Sequence, residues 1–295
     1  MHFSHDTAPL GPQTLYAEVE RLGAAYPALS ARTLGTSILG RPIPLLLVGC
    51  GRQKRLYVGA HHGTEWLTAR LLLYFLEELL SAAARGERPY GLDLGFLLAH
   101  RTLCFVPMLN PDGVAVHLGE GDEDPLVERR CRMAAGDFSH WQANARGVDL
   151  NHNYDAGFAA YKSVEATLGI TGGAPTRYSG PYPESEPETA ALASFVRATR
   201  PRLILTLHTQ GEEIYFAGGE GVHTTARRMA LLSGYRVASP EGAAAYGGLT
   251  DWAGGVLGIP SFTLECGKGE NPLPPCDAVP IYHRLSRLFF ESITM

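Results

Sequence analysis

Short apolar runs alternate along the chain with longer amphipathic segments. The runs that predict strands, in chain order, are 43–48, 56–60, 103–109, 202–207 and 260–264. The segments whose apolar residues recur at helical spacing, and which predict helices, are 12–25, 65–83, 186–197, 223–234 and 278–292. Thr64 is predicted to cap the second helix, and residues 114–180 show no clear period. This alternation is typical of a largely parallel sheet with helices on both faces.

Polar residues follow several of these strand candidates directly. They are His62, Asn110, His208 and Glu265. In open α/β sheets the ligand site lies at the carboxyl ends of the strands. We therefore expect these side chains to approach one another there.

His62 and Glu65 are three residues apart at a strand-to-helix junction, where an imidazole and a carboxylate can point at one position. With His208 they form a set that zinc accepts, and three protein ligands leave a position open for chemistry. Two alternatives remain. His208 could be bound to a backbone carbonyl, and His61 could replace His62, although adjacent side chains at a strand end point to opposite sides.

Glu265 ends an apolar strand, where an unpaired carboxylate is costly to bury. One interpretation is a buried salt bridge. The other is a general base that takes a proton from a metal-activated water and passes it to a leaving amine.

Composition narrows the function further. The chain has 295 residues, of which 45% are hydrophobic and 19% are charged, as expected for a globular α/β protein. The net charge of -5 argues against binding to nucleic acid, and against binding to a membrane surface through a cluster of basic residues. Five cysteines without CxxC spacing fit a reducing compartment. Because neither a signal peptide nor an apolar run of about 20 residues is visible, we expect a cytoplasmic protein without a membrane-spanning segment.

Several motifs together resemble the zinc carboxypeptidase family in order and spacing. They are His62-Gly-Thr-Glu65, Asn110-Pro-Asp-Gly113, Arg146-Gly-Val-Asp-Leu-Asn151, Gly180 to Thr189, His208, Gly247 to Trp252 and Phe262-Thr-Leu-Glu265. The resemblance spans residues 12–290. It implies an α/β/α sandwich around a mixed, mostly parallel eight-stranded sheet. It also implies one Zn²⁺ per chain, bound by His62, Glu65 and His208, with Glu265 as the general base. We expect residues 1–295 to form one catalytic domain, without propeptide or cell-wall-binding repeats.

The resemblance implies further roles. Asp149 would hydrogen-bond and orient His62, although an Asx turn is the alternative. Asn151 and Thr250 would bind substrate. Tyr246 would hydrogen-bond the substrate amide as a catalytic residue, or else only pack on the sheet edge.

One arginine downstream of Asn110 would stabilise the oxyanion. Arg130 is preferred over Arg129 and Arg132, which would then be surface residues.

Two residues depart from the family pattern. Tyr246 stands immediately before Gly247-Gly248, closer than the substrate-capping tyrosine of digestive members, and His152 is the other. Members usually follow the substrate-binding asparagine with an arginine that binds the terminal carboxylate, but here His152 follows Asn151. An imidazole lacks the bidentate, permanently charged fork of a guanidinium. The substitution weakens the case for an ordinary carboxypeptidase. His152 would still bind substrate, either a carboxylate if the imidazole is protonated or a different polar group.

The segments 208–215, 246–248 and 265–274 are similar to those of bacterial γ-D-glutamyl-L-diamino acid endopeptidases. That resemblance implies a peptide or muropeptide substrate, cut between γ-D-glutamate and meso-diaminopimelate, and a role in muropeptide recycling. Two alternatives are a carboxypeptidase or amidase acting on other acyl-amino acids, and a muropeptide-binding module without turnover.

Overall fold

A computed structural model describes residues 8–120, 125–240, 242 and 246–295. One eight-stranded sheet forms within these residues. Its strands are β1 Leu29–Thr36, β2 Pro42–Val48, β3 Gln53–Val58, β4 Arg101–Val106, β5 Leu203–His208, β6 Glu213–Ala217, β7 Arg236–Val237 and β8 Ser261–Glu265. Their order across the sheet is β1-β2-β4-β3-β5-β8-β6-β7.

The centre of this sheet is parallel and its flanks are mixed. β4, β3, β5 and β8 run parallel to one another, whereas β2 pairs antiparallel with β4 and β6 pairs antiparallel with β8. The carboxyl ends of the four central strands therefore meet at one edge. The predicted mixed, mostly parallel eight-stranded sheet is confirmed.

Helices accompany both faces of the sheet. The α-helices of the described residues are α1 Pro12–Ala25, α2 Trp66–Ala84, α3 Leu94–His100, α4 Pro111–His117, α5 Val127–Ala134, α6 Phe158–Thr167, α7 Pro187–Thr199, α8 Val222–Ser233 and α9 Ala278–Ser292. None of the helices between residues 8 and 295 that the structure describes has both the length and the apolarity that crossing a membrane requires.

β5 shows why the central strands are almost wholly apolar. Leu205 and Leu207 pack in the core cluster that includes residues of α2 and α9, while Ile204 packs in the cluster that includes residues of α7. Successive side chains of a strand point to opposite faces, so a strand buried on both faces is apolar at most of its positions.

The sequence-based assignments miss or misplace several elements. β1, β6 and β7 were not predicted: β1 is mostly exposed, β6 has five residues and β7 has two, so none forms a long apolar run. Residues 114–180 contain α5 and α6. β4 ends at Val106 rather than at residue 109, because the chain turns there to begin α4.

The predicted cap at Thr64 is wrong. A 3₁₀ turn, Gly63–Glu65, precedes α2, so the N-cap position falls on Glu65. The Thr64 hydroxyl is buried without a hydrogen-bond partner among the described residues. Thr68 closes the turn instead, since its hydroxyl donates to the Glu65 carbonyl at 2.7 Å.

Buried carboxylates at the start of α7 hold the segment that leads to Asp149. The Asn144 side-chain amide donates to Glu186 Oε2 at 2.8 Å and to Glu188 Oε2 at 3.4 Å. The Asn144 carbonyl oxygen accepts from the backbone N–H groups of Arg146 and Val148. Glu186 and Glu188 thus hold, through Asn144, the segment 144–148 that precedes Asp149.

Burial, followed by the charges of Asp112 and Glu186, raises the pKa of Glu188 from its ordinary 4.5 to about 8. Between these pH values the folded chain keeps a proton that the unfolded chain has released, so stability should fall as pH rises. One proton corresponds to at most about 1.4 kcal/mol per pH unit.

We predict that Glu188→Gln removes most of this fall, so that urea unfolding at pH 5 and pH 8 gives similar free energies for the variant. The exposed Glu20→Gln serves as control. If the parent and Glu188→Gln lose stability equally across this range, Glu188 is not the protonated group.

Candidate metal centre

A tight turn presents His62 and Glu65 to the edge of the sheet. After β3 the chain is extended at His62 and then enters the 3₁₀ turn. A Cβ at Gly63 would lie 2.4 Å from the carbonyl oxygen of Gly113, so only glycine fits. His62 Nδ1 lies 2.9 Å from Glu65 Oε1.

His208 reaches the same carboxylate from the end of β5. Its Nδ1 lies 3.0 Å from Glu65 Oε2, so the carboxylate lies between two imidazoles. His208 Nε2 is buried and has no hydrogen-bond partner among the described residues. The contact is to a carboxylate, not to the backbone carbonyl of the alternative interpretation.

These three residues satisfy the requirements of a metal site. One ligand atom from each of His62, Glu65 and His208 lies within 4.8 Å of the others. Two imidazole nitrogens and one carboxylate oxygen form a donor set that zinc prefers, and they leave room for another ligand. The residues present therefore fit a catalytic zinc ion.

The charges of the cluster support one another. Burial alone would raise the pKa of Glu65, but His62 and His208 outweigh it and lower that pKa to about 2. Burial alone would lower the pKa of His62, but the carboxylates of Glu65 and Asp149 raise it well above 6.5. The carboxylate is thus held as an anion, the form that binds a metal.

His61 packs its ring on that of His208, with 5.2 Å between centroids, but its nitrogens face other groups than Glu65. Its Nε2 lies 3.1 Å from the Tyr154 hydroxyl and its Nδ1 3.5 Å from Thr206 Oγ1. Burial, with the nearby imidazoles of His208 and His62, lowers its pKa well below 6.5. Of the two adjacent histidines, the structure brings His62 to Glu65.

Asp149 meets both interpretations made from the sequence. Its Oδ1 lies 3.1 Å from His62 Nε2 and also accepts the Asn151 backbone N–H at 3.1 Å. Its Oδ2 accepts the Arg177 backbone N–H at 3.0 Å. The Asx turn fixes the carboxylate that contacts the outer nitrogen of His62.

Glu265 lies beside the cluster at the end of β8. In the pairing of β5 with β8 it is the direct partner of His208. Burial, then the charge of Glu65, raises its pKa well above 4.5. No lysine or arginine of the described residues forms an ion pair with it, so the salt-bridge alternative finds no support there.

A cavity of about 160 Å³ opens over these groups. His62, Glu65, His208 and Glu265 line it together with the predicted substrate-binding residues Asn151, His152 and Thr250. No lysine or arginine is among its described lining residues, which include the further carboxylate Asp251. Burial raises the pKa of Asp251.

The predicted substrate-binding residues are held firmly. Asn151 Oδ1 accepts the Leu249 backbone N–H at 3.2 Å. The His152 ring stacks on Tyr161, with 4.0 Å between centroids, and its Nδ1 lies 2.8 Å from the Tyr246 carbonyl oxygen. The Thr250 hydroxyl lies 2.7 Å from that of Thr263.

Tyr246 and Arg130 are not among the described residues that line the cavity. Tyr246 is 37% exposed, and a Cβ at Gly157 would meet its ring at 3.0 Å. Arg130 is buried in α5. The catalytic roles assigned to them from the sequence stay predictions.

Sequence reasoning missed Asn271. Its Nδ2 donates to the Thr209 carbonyl at 2.8 Å and to Glu65 Oε1 at 3.4 Å, and its Oδ1 accepts the Thr209 hydroxyl at 2.6 Å. A backbone carbonyl only accepts, which fixes the amide nitrogen on the side of Glu65. The segment 265–274 marks this loop, but nothing in it indicates a contact with residue 65.

Comparison with known proteins agrees with this geometry. Residues 15–284 match the zinc carboxypeptidase family, Peptidase_M14. The chain is 32% identical over 284 residues to γ-D-glutamyl-L-diamino acid endopeptidase 1 of Lysinibacillus sphaericus, covering 94% of this chain and 70% of that protein. It is 27% identical over 278 residues to human carboxypeptidase B, covering 86% of this chain and 61% of that protein.

The fold is shared with bovine thrombin-activatable fibrinolysis inhibitor, solved in complex with tick carboxypeptidase inhibitor. The two structures superpose with a TM-score of 0.71 at 20% sequence identity, and the match covers 98% of this chain and 100% of the bovine chain. The family match covers most of the chain, and its description agrees with a two-histidine, one-carboxylate centre. This chain therefore belongs to the zinc carboxypeptidase (M14) family of metallopeptidases.

Proposed function

We propose that this metallopeptidase hydrolyses the bond between γ-D-glutamate and a diamino acid, meso-diaminopimelate, in peptidoglycan stem peptides. The observation that carries hydrolysis is Glu265 beside His208 in the cavity over the metal centre. The substrate is supported by the relative named for this activity, which is similar over 94% of the chain.

In this proposal His62, Glu65 and His208 hold the zinc ion, and Asp149 fixes the His62 ring from behind. Zinc, when bound, polarises the scissile carbonyl and lowers the pKa of water from 15.7 to about 7. Asn271 and the two histidines keep the Glu65 carboxylate in place.

Glu265 carries the proton. It accepts one from the attacking water as the new C–O bond forms, and donates one to the departing amine as the C–N bond breaks. Its raised pKa suits the second step, because a carboxylic acid that gives up its proton too easily would not protonate the amine.

His152 supports a substrate other than an ordinary C-terminal residue. Its Nδ1 faces the Tyr246 carbonyl, which requires an N–H there, and its Nε2 is 4.0 Å from Asp149 Oδ2. Burial lowers its pKa, despite Asp149. A neutral, stacked imidazole cannot replace the guanidinium fork for a terminal carboxylate.

A carboxypeptidase is the second candidate, and the similarity to human carboxypeptidase B favours it. It would release ordinary residues from peptide C-termini. A muropeptide-binding module without turnover is a third, although it would not need Glu265 in the cavity beside His208.

We predict that zinc-loaded protein cleaves L-Ala-γ-D-Glu-meso-diaminopimelate at the γ-glutamyl bond and releases little from a panel of ordinary C-terminal peptides. A chelator should abolish cleavage, and added zinc should restore it. Mass spectrometry of the products identifies the bond. Faster hydrolysis of the ordinary peptides would favour the carboxypeptidase, and binding without turnover would favour the module.

Glu265→Gln should lower kcat by about 10²- to 10⁴-fold, the usual contribution of a general base, with zinc content unchanged. The exposed Glu270→Gln is the control. A Glu265→Gln enzyme that turns over as fast as the parent would remove the assignment of the base.

Asn271→Ala should weaken zinc binding by about 10- to 100-fold, the usual effect of losing a residue that orients a ligand. Competition with a chromophoric chelator measures this without reference to activity. Glu270→Gln again provides the control. Unchanged affinity in Asn271→Ala would mean that its contact with Glu65 does not position the carboxylate.

A further inference from the structure

Four chemically distinctive residues form a row across the carboxyl edge of the sheet. His208 pairs with Glu265, Glu265 with Glu213, and Glu213 with Arg236, on the neighbouring strands β5, β8, β6 and β7. Directly paired residues point to the same face, and adjacent strands are about 4.8 Å apart. The row therefore leads from the metal centre to Arg236, with about 10 Å between the backbones of Glu265 and Arg236.

A second cavity lies at the far end of this row. Its volume is about 390 Å³, and its described lining residues are Glu213, Tyr215, Arg236, Ala238 and Ser239. Tyr215 also lines the cavity over the metal centre, so the two cavities share a wall. A chain held at the metal centre can extend past Tyr215 into this space.

The second cavity presents an anion and a cation side by side. Glu213 Oε1 contacts the Arg236 guanidinium, and Glu213 Oε2 accepts the Tyr215 hydroxyl at 2.6 Å. The Glu213 charge also acts on Glu265, whose pKa it helps to raise after burial and Glu65. The Arg236 side chain is 74% exposed, so its charge is available to a ligand.

The contact between Glu213 and Arg236 is inexpensive to rearrange. The Arg236 partner is exposed although Glu213 is only 18% exposed, so the pair is partly screened by solvent, and the guanidinium has further N–H donors beyond those facing Glu213. A ligand that carries both an ammonium and a carboxylate could bind the two side chains at once. The simple alternative is a cross-strand ion pair that serves only the sheet.

We propose that Glu213 and Arg236 form a subsite for a free α-amino acid head group, at the far end of the diamino acid on the leaving side of the scissile bond. Glu213 binds its ammonium and Arg236 its carboxylate. This subsite rests on the proposed function and deepens it. It would select diaminopimelate over lysine, which has the distal amine but lacks the distal carboxylate.

Two substrates test the subsite: γ-D-Glu-meso-diaminopimelate and γ-D-Glu-L-Lys. The parent should prefer the first by about 10- to 100-fold in kcat/KM, as expected for one charge-assisted contact. Arg236→Gln should remove that preference by raising KM for the diaminopimelate substrate, with kcat and the rate on the lysine substrate nearly unchanged. Glu213→Gln should weaken both substrates through the amine.

Lys268→Gln is the matched control, because Lys268 is 73% exposed and paired with Glu212, much as Arg236 is paired with Glu213. It should behave as the parent. Equal losses on both substrates in Arg236→Gln, or no loss on either, would overturn the subsite while leaving the proposed function standing.

If neither γ-D-glutamyl substrate is cleaved, the proposed function fails, and binding still decides the subsite. Calorimetric titration of zinc-loaded protein with mono-N-acetyl-meso-diaminopimelate and with Nα-acetyl-lysine, which lacks a free α-amino acid head group, should then show tighter binding of the former, lost in Arg236→Gln. Equal binding of both ligands by the parent would reject the subsite.

Discussion

The buried carboxylate of Glu65, placed between Nδ1 of His62 and Nδ1 of His208 at 2.9 and 3.0 Å, is the contact on which the site depends. A carboxylate so deep in the protein is costly unless charged or hydrogen-bonded partners surround it. Here one partner, His62, follows β3 and the other, His208, ends the neighbouring strand β5. Because β3 and β5 run parallel, their carboxyl ends lie side by side at the same edge of the sheet.

A second group of contacts turns that cluster into a rigid centre. Asp149 is fixed by the Asn151 and Arg177 backbone N–H groups before it reaches His62. The chain before Asp149 is in turn held through Asn144, which is bound to the carboxylates at the start of α7. The orientation of the His62 ring therefore depends on the buried polar contacts that hold Asp149, and not on the metal site alone.

The sequence was sufficient for the centre because His208 and Glu265 end apolar strands and His62 follows one within four residues, so that the buried parallel strands fix where these residues lie. It was insufficient for contacts made by tertiary packing. Asn271 reaches Glu65 from a loop. Glu213 and Arg236 lie on strands of five and two residues, too short to leave a periodic pattern. Thr64 looked like a cap, but the 3₁₀ turn that aims Glu65 moved the helix start past it.

The central claim is that the Glu65 carboxylate, held by His62 and His208, binds one zinc ion. Metal analysis of the parent and of Glu65→Gln, each dialysed against dilute zinc, tests it most directly, because glutamine keeps the size of the side chain and removes its charge. One zinc per chain in the parent and far less in Glu65→Gln is the expected result. Equal zinc in both proteins, or none in the parent, would contradict this account.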